Sequence, residues 1–155
     1  MNKALFRAFL DKVTKDNEFM SYFGLTTTSE DVEVRKKIFN YLPTEFINLP
    51  RLVFENSVKG QPNPDVPFLR DKTIRIICYT SDQTMILNES ILNKINDLIE
   101  EETLPIKQTD NVNYWTCFEY VGEGTIPLVV SDVYAYFYEY KISASLRKNK
   151  VLENL

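Results

Sequence analysis

Histidine is absent from the 155 residues. That removes the commonest general base, every Ser-His-Asp or Cys-His nucleophile system, and the commonest zinc ligand. Glycine is nearly as scarce. The four present form neither a GxGxxG nor a Walker pattern, so no glycine loop is built to cradle phosphate. The two cysteines, Cys78 and Cys117, each lie in strand-like sequence, where buried reduced thiols are the expectation and a disulfide between neighbouring strands the lesser alternative. No apolar run approaches the roughly 20 residues of a membrane span, and the apolar residues before Lys15 are spaced for an amphipathic helix, not a signal peptide. A net charge of −4 argues against tight binding to nucleic-acid backbone or anionic lipid. Asp65, Asp71 and Asp82 lack the spacing of a metal loop, so no metal or other cofactor is expected. Carboxylate pairs of the kind used in glycoside hydrolysis arise by chance among 22 acidic residues and identify no site.

Hydrophobic residues make up 44% of the chain and charged residues 26%, the balance of a folded domain, and the length suits one domain spanning residues 1–155. The 10 Phe, 9 Tyr and 1 Trp favour sheet surfaces and protein interfaces. Leu5, Phe6, Phe9, Leu10 and Val13 fall within an arc of roughly 140°, which predicts an N-terminal amphipathic helix. Phe19 to Phe23 adds a turn ended by Gly24. Thr27 with Glu30, or Thr28 with Asp31, offers a capping box for a short helix, and Ile38-Phe39 is a possible strand start in a segment, Glu30 to Asn48, without a clean period.

Arg51 to Asn56 and Lys72 to Tyr79 read as strands, the second with Ile74, Ile76 and Cys78 on one face. Between them Ser57 to Leu69 holds Gly60, Pro62, Pro64 and Pro67, which predicts a long irregular loop. Such a loop is either a plain connection or a partner contact. Lys59, Gln61, Asn63, Asp65 and Phe68 are its candidate contact residues. Thr84 to Glu101 is the clearest helix, with Thr80 and Gln83 placed for a capping box and Leu87, Ile91, Leu92, Ile95, Leu98 and Ile99 on one face. Asn88 intrudes on that face and requires a backbone partner or a place at its edge. Glu100, Glu101 and Glu102 follow, either as a solvated helix end or as an acidic surface facing a basic partner or a DNA conduit. A strand from Asn113 to Val121, a turn at Gly122-Glu123-Gly124 and a last strand beginning near Leu128 or Ser131 come next. In that strand Val133, Ala135 and Phe137 alternate with Tyr134, Tyr136, Tyr138 and Tyr140. The tyrosines are either a sheet or interface face, or a stacking platform for bases, which a basic groove would accompany. The helix from Thr84 is expected to lie across the other face, on Ile74, Ile76 and Phe137, with Lys94 pointing away. A basic tail occupies about residues 143–155.

These readings give an α+β fold: a mainly antiparallel β-sheet with an N-terminal helix and one long central helix packed on it. The order of helix, proline-preceded strand Leu49-Pro50-Arg51-Leu52-Val53-Phe54, strand Thr73-Ile74-Arg75-Ile76-Ile77-Cys78-Tyr79, helix and two further strands resembles the tail-terminator, or tail-completion, proteins of long-tailed bacteriophages. The resemblance covers roughly Leu5 to Ser143 and lies in element order and apolar pattern. It implies a structural virion protein and not an enzyme: a ring, usually a hexamer, that caps the tail tube, stops its polymerisation and joins the tail to the head connector. The partners it implies are further copies of the chain, the tube protein and the connector protein. DNA would pass through the ring without specific binding, no membrane is involved, and the protein would be made in the host cytoplasm and end in the virion tail or neck. Another neck or tail adaptor, or a non-viral protein-binding module, is the alternative.

Overall fold

The computed structural model describes residues 2–40, 48–62, 70–100, 102–107, 113–128 and 130–145. Helix α1 spans Asn2–Val13 and buries the predicted stripe of Leu5, Phe6, Phe9, Leu10 and Val13. Helix α2 (Asn17–Ser21) starts earlier than the aromatic spacing indicates, because the Asp16 carboxylate accepts from the Phe19 N–H at 2.9 Å and caps it. Gly24, at φ +70°, takes the left-handed position that ends this turn. Helix α3 (Asp31–Arg35) follows without either capping box: Ser29 Oγ instead accepts from the Thr26 N–H at 2.9 Å, and Glu30 caps α3 with no side-chain bond.

Among the described residues six strands form one sheet: β1 (Ile38–Phe39), β2 (Arg51–Pro62), β3 (Arg70–Thr80), β4 (Leu104–Lys107), β5 (Asn113–Ile126) and β6 (Tyr134–Ser145), in the order β1-β2-β3-β6-β5-β4. Every pairing is antiparallel except β1 with β2, so the α+β class holds with a mixed sheet. Helix α4 (Ile86–Ile99) connects β3 to β4.

Several strand boundaries differ from the sequence reading. β2 continues to Pro62 and pairs with β3 through Val58↔Thr73, Lys59↔Lys72 and Pro62↔Arg70, with register shifts after Asn56 and Lys59. Bulges absorb residues that break strict alternation, and a proline at a strand end forfeits little of the ladder. The expected loop thus begins as strand. β5 likewise runs through Gly122 and Gly124 to Ile126, and β6 begins only at Tyr134, after Asp132 at φ 59°. Those glycines serve a bulge between Tyr120 and Gly122 and a close approach: a Cβ on Gly124 would lie 3.1 Å from Cζ of Phe137. Leu104–Lys107, which the sequence does not mark as a strand, pairs with β5 as a short edge strand, and β6 extends to Ser145, into the expected tail.

The principal core lies between the sheet and the helices. Ile74, Ile76 and Cys78 of β3 stand beside Tyr140, Tyr138 and Tyr136 of β6, with Leu52, Phe54 and Phe118 on the same face. Phe54 meets Phe6 and Phe9 of α1 at ring separations of 5.5 and 5.3 Å. Ile91, Leu92, Ile95 and Ile99 of α4 are buried there, with Leu87 and Leu98 at its margin. Phe137 does not face α4. It joins Val53, Ile77, Tyr79, Val133 and Ala135 in a second cluster on the opposite face, where the Arg75 guanidinium lies 4.4 Å from its ring centre. Alternation shows that two faces differ, but not which is covered. Tyr138 and Tyr140 are covered because each ring packs as an apolar body while its hydroxyl reaches an asparagine of α4.

Candidate assembly surface

Helix α4 meets the tyrosine face along a polar seam. Asn88 is fully buried; its Nδ2 donates to the carbonyls of Cys78 at 2.9 Å and Tyr134 at 3.0 Å, and its Oδ1 accepts from the Thr80 hydroxyl. The expected backbone partners exist, on two strands and not in the first helical turn. Further along the helix, the Tyr138 hydroxyl donates to Asn93 Oδ1, and the Tyr140 hydroxyl donates to Asn96 Oδ1 at 2.9 Å. Asn96 Nδ2 then donates to Glu100 Oε2 at 2.6 Å. Asn93 and Asn96 were not singled out by sequence. The available signal was amides at 88 and 96, eight residues apart on one helix face, beside a tyrosine alternation in a strand.

The helix entry is also rebuilt. The predicted box from Thr80 to Gln83 does not form; Asp82 accepts from the N–H groups of Leu87 at 2.9 Å and Thr84 at 3.0 Å. Those bonds, Leu87 first, hold its carboxyl below the usual carboxylate range. Met85 caps α4 from a left-handed conformation at φ 59°.

Beyond the seam, the sheet on the β5 side carries Tyr120 and Glu123 on the same face as Tyr136 and Tyr138. The rings of Tyr120 and Tyr138 stand edge-on at 5.3 Å, and those of Tyr136 and Tyr138 at 6.3 Å. The Glu123 carboxylate lies close enough to the hydroxyls of Tyr120 and Tyr136 to disfavour their ionisation. Burial pushes the four hydroxyls of Tyr120, Tyr136, Tyr138 and Tyr140 above the usual range, and carboxylates raise them further: Glu123 for the first three, Glu100 and Asp97 for Tyr140. The result is a part-open aromatic trough between α4 and β5, edged by the carboxylates of Glu89, Glu100 and Glu123.

Among the sequence candidates, Lys59 and Gln61 are strand residues of β2, not loop residues, because that segment pairs with β3. Asn63, Asp65 and Phe68 lie outside the described residues, as does Glu101. Glu100 and Glu102 do not continue α4, which ends at Ile99; Glu100 is extended, bridges to Phe118 of β5 and turns into the seam, while Glu102 is exposed. Lys94 does not point freely away: its Nζ lies 3.6 Å from Asp16 and 3.0 Å from Glu18, tying α4 to α2. Cys78 and Cys117 occupy opposite faces of strands separated by β6, a geometry that forbids a disulfide. No group of three metal-ligating side chains is found among the described residues, and no helix there is long and apolar enough to cross a membrane. A groove of about 470 Å³ at the β5–β6 reversal is lined by Met85, Ile126, Leu128, Val130 and Val133 and holds no catalytic grouping.

No protein-family model and no curated protein matches the sequence. Among solved structures, the fold is similar to a chain described as "Virion of native gene transfer agent (GTA) particle", with a TM-score of 0.56 at 6% identity, over 86% of this chain and 90% of that one.

Proposed function

We propose that this chain is a structural subunit of a phage-type virion, acting as a tail terminator. In this reading it forms a ring, six copies in the usual case, that caps the tail tube, stops its growth and joins the tail to the head connector. The observation that carries the proposal is the fold likeness to a chain of a gene transfer agent virion, which spans nearly the whole of both chains. The lack of histidine and of any phosphate-binding glycine loop fits an assembly role better than catalysis. The aromatic excess suits extensive protein interfaces. Six chains of −4 give a ring of −24, which suits a conduit that DNA crosses without adhering.

The test is to add purified protein to polymerising tube protein and to image the product by negative stain. Tubes arrested in length with a ring at one end, and a light-scattering mass near six times the 18.1 kDa chain, are expected. Tube growth unaffected by excess protein would overturn the terminator role. Rings that bind the connector but ignore tubes would make the protein a neck adaptor.

A further inference from the structure

The trough between α4 and β5 combines three features that the core does not require. Its floor is aromatic, with Tyr120 and Tyr136 only partly covered. Its charged groups, Glu89, Glu100 and Glu123, are carboxylates that act together on the tyrosine hydroxyls. Its rims carry two unpartnered aliphatic side chains, Ile86 at 65% exposure and Val121, extruded by the β5 bulge, at 51%. Exposed tyrosine faces and carboxylates together favour Lys and Arg side chains, which gain from the ring quadrupole and from opposite charge. Exposed aliphatic rims mark a surface that something covers.

The chain itself supplies a matching segment. Beyond β6 the sequence reads Leu146-Arg147-Lys148-Asn149-Lys150-Val151-Leu152, three cations followed by two aliphatic residues. It leaves from the far end of the sheet. Ser145 ends β6 seven residues past Tyr138, a distance of about 23 Å along an extended strand, whereas Lys150 lies at most about 17 Å from Ser145. Arg147 and Lys148, at most about 7 and 10 Å from Ser145, therefore fall short of Tyr138 and Glu123 of their own chain even with side chains extended, but a neighbour's can reach them.

We infer that the trough lined by the part-exposed Tyr120 and Tyr136 with Glu89 and Glu123 docks the basic C-terminal segment Arg147–Lys150 of a second copy of this chain. The contact is heterologous, patch to tail, the kind that passes from subunit to subunit and generates a ring when the rotation between neighbours closes. The inference deepens the ring reading above and rests on it.

Full-length protein carries the test, with sedimentation equilibrium as the readout. Glu123→Lys alone, and Arg147→Glu with Lys148→Glu alone, should each weaken self-association about tenfold or more, as charge reversals at a paired contact do. Combining the two sets should restore most of the loss. Glu89→Lys provides a second reversal at another exposed position, and thermal melts check that each variant is folded. Association unchanged in the single reversals, or lost without rescue in the combination, overturns the docking. In the first case intact rings that still cap tubes would leave the terminator reading standing, whereas a wild-type protein that stays monomeric at near-millimolar concentration sinks both.

Discussion

Asn88 shows how one residue fixes the relation of three elements. It joins α4 to a carbonyl of β3 and another at the start of β6, and it accepts from Thr80. Replacing it with Ala removes two hydrogen bonds to strand carbonyls and takes the acceptor from the buried Thr80 hydroxyl, and each such loss costs about 1–3 kcal/mol. Asn88→Ala should therefore lower stability by about 3 kcal/mol in urea titration, far more than Asn93→Ala at the exposed end of the seam. The tyrosines make a second claim at this scale. Burial first, then the carboxylate of Glu55, pushes Tyr79 up to about 12, and burial raises Tyr138 and Tyr140 as well. Above the unfolded tyrosine pKa of about 10, the unfolded chain sheds these protons while the folded one keeps them, so stability falls as pH rises. Their stabilising effect is complete below about pH 10 and is lost through the alkaline range. Tyrosinate absorbance at 295 nm should show these residues ionising only with unfolding; smooth titration in the folded state would refute it.

At the scale of the element, α4 has two distinct sides. Ile95 is fully buried against the sheet, so Ile95→Ala should cost about 2–5 kcal/mol by loss of transfer energy and creation of a cavity. Lys94 holds Asp16 and Glu18 of the neighbouring turn, and those carboxylates raise its pKa above the usual lysine range, the bond to Glu18 foremost. Lys94→Ala should produce a small loss that vanishes in high salt, since partly exposed ion pairs are screened. An equal and salt-insensitive loss from both substitutions would mean that the helix faces are misassigned. The β5–β6 pair offers a sharper contrast. Gly122 has open space where a Cβ would go, whereas Gly124 lies under the Phe137 ring, which Arg75 clamps from one side. Gly122→Ala should be neutral or stabilising, and Gly124→Ala should cost about 1 kcal/mol by overpacking. Thermal melts of the two variants decide it.

At the scale of the whole molecule, the β2–β3 ladder extends to Pro62 and Arg70 at the sheet end where β4 meets β5 and where β6 finishes. Replacing residues 63–69 with a two-residue turn should leave the melting transition intact, because the paired segments on either side are retained. If the proposed partner contact lies in that loop, the same variant should assemble less well or cap tubes poorly. Unaltered assembly would remove the loop from the interface and leave the trough and tail as the surfaces to examine.

The periods written into the sequence determined the element types. The 3.6-residue stripe of Leu5 to Val13 and the apolar face through Ile91, Ile95 and Ile99 both became helices with those faces buried. The alternations around Ile74–Cys78 and Tyr134–Tyr140 both became strands. Local period is a property of the backbone geometry, so it survives without knowledge of any partner. The carriage of β2 to Pro62, the passage of β5 through two glycines and the strand at Leu104 depend on a neighbouring ladder that supplies hydrogen bonds, and no local signal reports that neighbour. The tyrosine face was decided in the same way. Only the tertiary structure brings Asn93 and Asn96 over Tyr138 and Tyr140, and that meeting of helix amides with phenol hydroxyls turns an apparently polar face into the buried one.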